Sequence, residues 1–457
     1  MNNLVAKILL IMLIASASFL VGGAQAQGLN QGLTLPANTN GAYQGASVAR
    51  DSGLSQPLDL LNDFYPAIEV TITDHDNVRR RPGFQESDLK LVAKPSLGYR
   101  TNLGRHKFYA SYTGVFTFHD ELEQEDAESH TGFAKLGLDL TRRWDLDIFA
   151  GIGESFEERG ISGAREFNRF DFGGVNSGPE EVDHFAYGAD LIFGRKIGIM
   201  TGVLGFEHIE TNFRSNDLPL GEQAGDRDRE SDSVHLDLNW NFAARTSVFG
   251  RVQRTEVDYN ANRNTLDSDQ TDYLVGLRWK PSARLNGVVG VGRSDKDFDD
   301  PSRRGYDGNT YYTNLSYRLS PYSVIDFGAS RIVEEPGDER SSYYESEFFG
   351  LGWNHAFTSK VSFDVYAKWL DDDYDIGRED KFFDWGLGLD YVWRRWLTAG
   401  VYYGETERES TRESVEYEDA FFGIRLRSDL RSLFSGRREQ VIEPGSFDYP
   451  RKTQRSQ

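Results

Sequence analysis

From Phe64 onward the chain alternates apolar and polar residues with a period of two. The stretch 381–405 shows it most clearly. Its first arm places Phe383, Trp385, Leu387, Leu389, Tyr391 and Trp393 at every second position, with Asp384, Gly386, Gly388 and Asp390 between them. Arg394 and Arg395 make a tight turn. The return arm carries Leu397, Ala399, Val401 and Tyr403 on one face and Thr398 and Gly400 on the other. Successive strand side chains point to opposite faces, so each arm has one apolar face and one polar or empty face. An arm of about 10 residues with this alternation suits a tilted strand crossing a bilayer.

The unit recurs along the chain. A lone first leg covers 64–73, with Ile68, Val70 and Ile72 on one face. Hairpins follow over 88–118, 131–155, 183–208, 231–259, 271–295, 310–332, 343–370 and 381–405. A lone last leg covers 415–427, with Ala420, Phe422, Ile424 and Leu426 facing one way. Together they predict eighteen strands. Glycine blurs the period in 197–208 and 285–295, where the register is least defined.

Repetition at about 40 residues also fits a propeller. Two features point to a membrane barrel instead. Turns inside hairpins are short and connections between hairpins are longer, the pattern of outer-membrane barrels with periplasmic turns and extracellular loops. Charge also sorts by end. The short turns are basic, as at Arg142-Arg143, Arg195-Lys196 and Arg394-Arg395, and Trp144, Trp279, Trp393 and Trp396 lie near them. The long connections are acidic, as at 119–130 and 371–375. An aromatic girdle at the membrane interface explains this sorting, and a soluble propeller does not. The expected fold is an all-β, antiparallel, up-and-down transmembrane barrel.

Composition agrees. The chain has 27% charged residues, 13% aromatics and 46 glycines, with a mean hydropathy of −0.56. That mixture is wrong for membrane helices and right for strands that alternate lipid-facing and water-facing residues. The formal charge of −21 argues against a nucleic-acid partner, which needs a basic footprint. With no cysteine, disulfides and thiolate chemistry are excluded.

Residues 1–26 read as a secretory signal: Lys7, an apolar run 8–21 and a small-x-small site at 24–26. Residues 27–62 are polar and aperiodic, a flexible periplasmic lead-in. The barrel is expected over 63–428. The tail 429–457 carries Arg431, Arg437, Arg438, Arg451, Lys452 and Arg455, and an even strand number puts it in the periplasm with the lead-in.

Barrels of 16 to 18 strands usually leave an aqueous channel. The face opposite the apolar rows supplies the candidate lumen-lining residues. The basic ones are Lys90, Lys94, Lys107, Lys135, Arg251, Arg278, Arg318, Lys368 and Arg425; the acidic ones are Asp139, Asp190, Asp237, Asp364, Asp384 and Asp390. Asp147 and Asp326 fall on the same face, and Tyr109, Tyr312, Tyr366 and Tyr402 are interleaved. The expected wall is therefore of mixed sign. Charges, hydroxyls and aromatic faces together can bind and pass a hydrated polymer such as a glycan, or simply line water in a general pore.

The opening of the barrel carries Asp74-His75-Asp76-Asn77-Val78 after the first strand, then Ser87-Asp88 leading into a strand with Pro95, and Gly104-Arg105-His106-Lys107 at the next turn. This layout resembles the putative beta-barrel porin 2 family of outer-membrane proteins, often encoded within exopolysaccharide loci. The resemblance covers roughly 64–427. It implies a conduit for an exported polysaccharide, surrounded by outer-membrane lipid and lipopolysaccharide, with a periplasmic export partner able to dock on the lead-in and tail. It brings no catalytic motif.

Other chemistry fails on spacing. Asp371, Asp373 and Asp375 have the 1-3-5 spacing of a calcium loop, but Ile376 stands where glycine is needed and Phe382 where glutamate is. Asp295, Asp297 and Asp299 also lack the glycine. The 8 histidines form no zinc motif, and no nucleophile elbow or phosphate loop occurs. The reading is a non-enzymatic channel without cofactor. A general or solute-specific porin is the second reading, and a surface enzyme or adhesin using the long loops the third.

Overall fold

The computed structural model describes residues 63–429 except 84, 158, 162–178, 195–197, 215–226, 244, 261–263, 280–283 and 338–339. The expected signal, the lead-in, the basic tail beyond residue 429 and the Arg195-Lys196 turn lie outside the described residues.

The chain opens on β1 (Asp63–His75). Eight hairpins follow: β2 and β3 (Asp88–Leu103, His106–His119), β4 and β5 (Ala127–Asp139, Trp144–Phe156), β6 and β7 (Glu181–Phe193, Met200–Arg214), and β8 and β9 (Arg229–Ala243, Thr246–Tyr259). Then come β10 and β11 (Ser268–Trp279, Leu285–Phe298), β12 and β13 (Tyr306–Ser320, Ser323–Glu334), β14 and β15 (Tyr344–Ala356, Val361–Tyr374), and β16 and β17 (Glu379–Arg394, Leu397–Ser410). β18 (Tyr417–Asp429) ends the barrel. Every strand pairs antiparallel with its neighbours in sequence, and β1 pairs with β18 from Ala67↔Asp429 to His75↔Phe421. The eighteen-stranded sheet is therefore closed and has no free edge.

The hydrophobic pattern is turned outward. Leu236, Leu238, Trp240 and Phe242 of β8 and Leu387, Leu389, Tyr391 and Trp393 of β16 all stay exposed, Trp393 at 60%. In water each such row would cost about 25 cal/mol per Å² of apolar surface, and a bilayer removes that cost. The concave face is identified by contacts that skip strands. Arg425 of β18 reaches Asp364 of β15 at 2.6 Å, and the rings of Phe249 (β9) and Tyr312 (β12) lie 6.2 Å apart. Strands about 4.8 Å apart let such residues meet only on the inside. Inside, no large apolar core exists among the described residues; a small buried cluster of Val257, Tyr259 and Leu266 sits at the long-loop end.

Three details differ from the sequence expectation. The strands are longer, 12 to 16 residues, and overrun the bilayer at the long-loop end. Asp371–Tyr374 belongs to β15, not to a loop, and Asp295 and Asp297 belong to β11. The acidic stretch 119–130 shrinks to a connection with a single 3-10 turn at Glu123–Glu125, because β4 already starts at Ala127. The reason is common: backbone pairing continues into water, where outward carboxylates are solvated. At the other end, register shifts sit beside three of the short turns, between Trp240 and Ala243, Arg318 and Ser320, and Val392 and Arg394. Bulges of this kind are common at barrel rims. Trp240 and Trp353 join the four tryptophans expected near the short-turn end.

Candidate functional site: the inner wall of the barrel

The ladder puts all of the candidate lumen residues on one face. Lys94 pairs with Glu69, Lys135 with Tyr109, Asp190 with Asp147, Asp237 with Arg251 and Lys368 with Asp384. Lys90, Lys107, Asp139, Arg278, Arg318, Asp364, Asp390 and Arg425 have the same parity, opposite the exposed apolar rows.

Closure brings many of them together. Arg425 donates to Asp390 Oδ1 at 2.9 Å from Nε and to Asp390 Oδ2 at 2.7 Å from Nη2, and the same Nη2 reaches Asp364. Arg427 adds Nη1 to Asp390 at 3.3 Å and Nε to Glu69 at 2.5 Å, tying β18 to β16 and to β1. Asp237 takes Arg251 through both oxygens, at 2.5 and 2.6 Å. Such forked pairs are the strong ones. Lys368 holds Asp384 at 2.9 Å, with the Tyr366 hydroxyl donating to the same carboxylate at 3.1 Å. Lys135 holds Asp147 at 3.0 Å, and His235 lies 3.6 Å from Asp190. Arg278 donates to Asn239 and stacks 4.2 Å from the Phe249 ring. Lys90, Lys94, Lys107 and Arg318 form no ion pair among the described residues.

Glycines on the inner face, among them Gly290 of the blurred stretch 285–295, have a specific use here. Phe249, Gly276, Gly290 and Tyr312 form one cross-strand row on β9 to β12. Phe249 lies over Gly276 and Tyr312 over Gly290, where a Cβ at either glycine would overlap the ring. Covering glycine with an aromatic ring pins the register and lets the wall curve. Tyr366 over Gly386 and Phe421 over Gly404 repeat the device.

At the long-loop end, inward charges tie loops together. Glu125 accepts from Arg79 Nε at 3.1 Å and Arg159 Nε at 2.7 Å. Arg227 holds Glu157 at 2.6 Å and Glu180 at 3.0 Å and stacks 4.0 Å from Phe213. Asp380 gathers Arg378, Arg408 and Ser410 at 2.6, 2.8 and 2.5 Å. Beneath the Glu125 cluster lies a cavity of about 130 Å³ bounded by Lys90, Thr117, Ser129 and Arg159. Sequence reasoning missed the Glu125 and Arg227 clusters, because their partners come from connections far apart in the chain, whereas Asp380 draws its partners from its own and the neighbouring strand end.

The Asp-Asn-Val loop also finds its reason. Asn77 is buried; its Nδ2 donates to Glu418 O at 3.0 Å and to Arg81 O at 3.2 Å, while its Oδ1 accepts from Arg81 N at 3.1 Å. Asp76 exchanges bonds with Ala420, at 3.1 and 2.8 Å. The loop thus locks the seam where β1 meets β18. Asp88 accepts from the amides of Leu89, Glu121 and Leu122 at 2.7, 3.1 and 3.0 Å and so fixes the β3–β4 connection.

On the outward face, Glu154, Glu181 and Asp183 could hold a metal ion. Arg214 already pairs with Glu181 and Asp183, so the chain itself supplies positive charge there.

In overall structure the chain is similar to OpdK of Pseudomonas aeruginosa, solved with vanillate (10% identity, covering 80% of this chain and 98% of that one, TM-score 0.44). It is also similar to OccK2 (OpdF) of Pseudomonas aeruginosa in complex with glucuronate (13% identity, 80% and 98% covered, TM-score 0.45). A third similar structure is the siderophore receptor PirA from Acinetobacter baumannii (9% identity, 81% of each chain, TM-score 0.42). No curated protein matches the sequence. The sequence model of the family described as putative beta-barrel porin 2 matches residues 64–429, nearly the whole barrel, and the chain belongs to that family of outer-membrane β-barrel porins.

Proposed function

We propose that this outer-membrane porin is a conduit that carries an exopolysaccharide out of the periplasm. The observation that carries the reading is the inner wall. It is continuous, polar and studded with aromatic rings, and no described strand or helix crosses it. A hydrated glycan needs hydroxyl and charge partners for its polar edges and aromatic faces for its C–H faces. Eighteen strands enclose enough room for such a chain. Both ends of the barrel, at Asp63 and Asp429, emerge on the short-turn side. Residues 27–62 and the tail beyond Asp429 are continuous with those two ends, which suits docking of a periplasmic export partner. The exposed apolar belt suits outer-membrane lipid, and the outward acidic strand ends suit the lipopolysaccharide headgroup layer.

The test is a clean deletion followed by locating the polymer. Retention of polymer in the periplasm is expected, and normal release into the medium would sink the reading. A second reading, a porin for small solutes, draws on the charged clusters of Glu125 and Arg227, which join loops across the mouth. Under that reading the deletion leaves polymer release intact and slows uptake of a small solute instead.

A further inference from the structure

We infer that the lumen selects acidic saccharides, through a cationic strip on the inner faces of β2, β3 and β4. The inference rests on reading the lumen as a saccharide path, and it names the class of saccharide.

The signs on the inner wall separate by depth. Carboxylates lie sunk against the sheet: Asp145, Asp147, Asp190, Asp326 and Asp390 are each 5% exposed or less. Their short side chains keep them near the backbone, where arginine, lysine or histidine partners cover several of them. Lysine and arginine instead extend along the wall and place their charge in water. On β2 and β3, Lys94 and Lys107 are exposed, and Lys90 and Arg100 are half-buried. None of these four forms an ion pair with a described residue. The inward carboxylates on the same three strands are Asp88, which is occupied by backbone amides, and Asp139 at the turn. A chain of net charge −21 thus presents positive charge to this side of its lumen.

Aromatic rings sit within the strip. Arg100, Tyr109, Lys135 and Phe149 form a single cross-strand row on β2 to β5, alternating cation and ring. Phe133 bridges the two rings, with centroids 6.1 Å from Tyr109 and 6.3 Å from Phe149. Neighbouring positions in such a row are about 4.8 Å apart. A pyranose can lay its C–H face on the Tyr109 ring while its carboxylate meets Arg100 beside it; Lys135, on the other side of the ring, is already paired with Asp147. A neutral sugar uses only the rings, and a small inorganic anion only the cations; a sugar acid uses both.

The test uses the full-length barrel in planar bilayers and in detergent. Trigalacturonate and maltotriose serve as acidic and neutral probes of equal length. The expected results are anion selectivity under a salt gradient and current block by trigalacturonate at a concentration at least tenfold below that for maltotriose. Calorimetric titration in detergent reads the same preference if the pore is closed, and the preference should weaken as salt is raised. The triple variant Lys94→Gln, Arg100→Gln, Lys107→Gln should lose the preference by tenfold or more while still shifting on heating in a denaturing gel, as a folded barrel does. Cation selectivity, equal affinity for both probes, or an unchanged preference in the folded triple variant would each overturn the inference. A deletion strain that releases its polymer normally removes the export reading alone. Equal affinity for both probes removes acid selection alone.

Discussion

The wall is set by which side chains can share a row. Gly276 is the sharpest case. A Cβ there meets both the Phe249 ring and the Val289 carbonyl, one flexible and one fixed. Gly276→Val should therefore destabilise the barrel by about 1–3 kcal/mol, as overpacking does, read as a lower thermal midpoint in detergent; an unchanged midpoint would mean that the ring moves aside without cost. Asp390 shows the electrostatic counterpart. At 2% exposure it is tolerated as a charge because Arg425 and Arg427 both donate to it. Glycine and aspartate were both visible as polar or empty positions between apolar ones. That one underlies a ring and the other anchors two arginines was not visible, since both partners come from other strands.

At the scale of the strand, the two faces live in different solvents. β16 carries Asp384 and Asp390 inward and Leu387 and Leu389 outward. Leu387 pairs with Val365 and Tyr403 in the middle of the apolar band. Leu387→Arg should cost about 2–4 kcal/mol, measured by urea titration of the barrel folded into vesicles. The same change at an outward position of the acidic strand ends, such as Glu407, should cost far less, because that end lies beyond the hydrocarbon. Strand ends were the least legible part of each element. Pairing past the bilayer edge depends on neighbouring strands, not on any residue's polarity.

For the molecule as a whole, closure and the mouth decide stability. Asn77 is itself buried and makes its seam bonds to the backbone of Glu418 and Arg81, so Asn77→Ala should cost about 1–3 kcal/mol and lower the temperature at which the folded band disappears on a denaturing gel. The mouth contributes a pH dependence. Glu335, in the loop after β13, is only 10% exposed at its side chain; burial pushes its carboxyl up, but the charges of Lys296 and Arg229 together with hydrogen bonds from Lys296 and Tyr259 outweigh burial and hold it below its ordinary value of 4.5. Lys296 is itself fully buried and pairs with it, and Tyr259 donates to it at 2.8 Å. A depressed carboxyl stabilises fully above its unfolded value and loses that contribution as pH falls through the folded one. The thermal midpoint should therefore hold above pH 4.5 and decline below it, and Glu335→Gln should flatten the decline.

Sequence by itself determined the strands, their number and their two faces. A strand's faces follow from a period of two, which is local, and the short basic turns with their tryptophans are local too. Which charged residues share a face was legible for the same reason, since parity within a strand survives folding. What only the tertiary structure decided is which residues become neighbours once the sheet closes. Arg425 meets Asp364 and Asn77 meets Glu418 across the length of the chain. The depth of each charge also needed the fold: short carboxylates sink against the wall beside partners from other strands, while long cations on β2 and β3 stand out from it. A list of charges in the sequence therefore reads as mixed in sign, whereas the folded strip is positive.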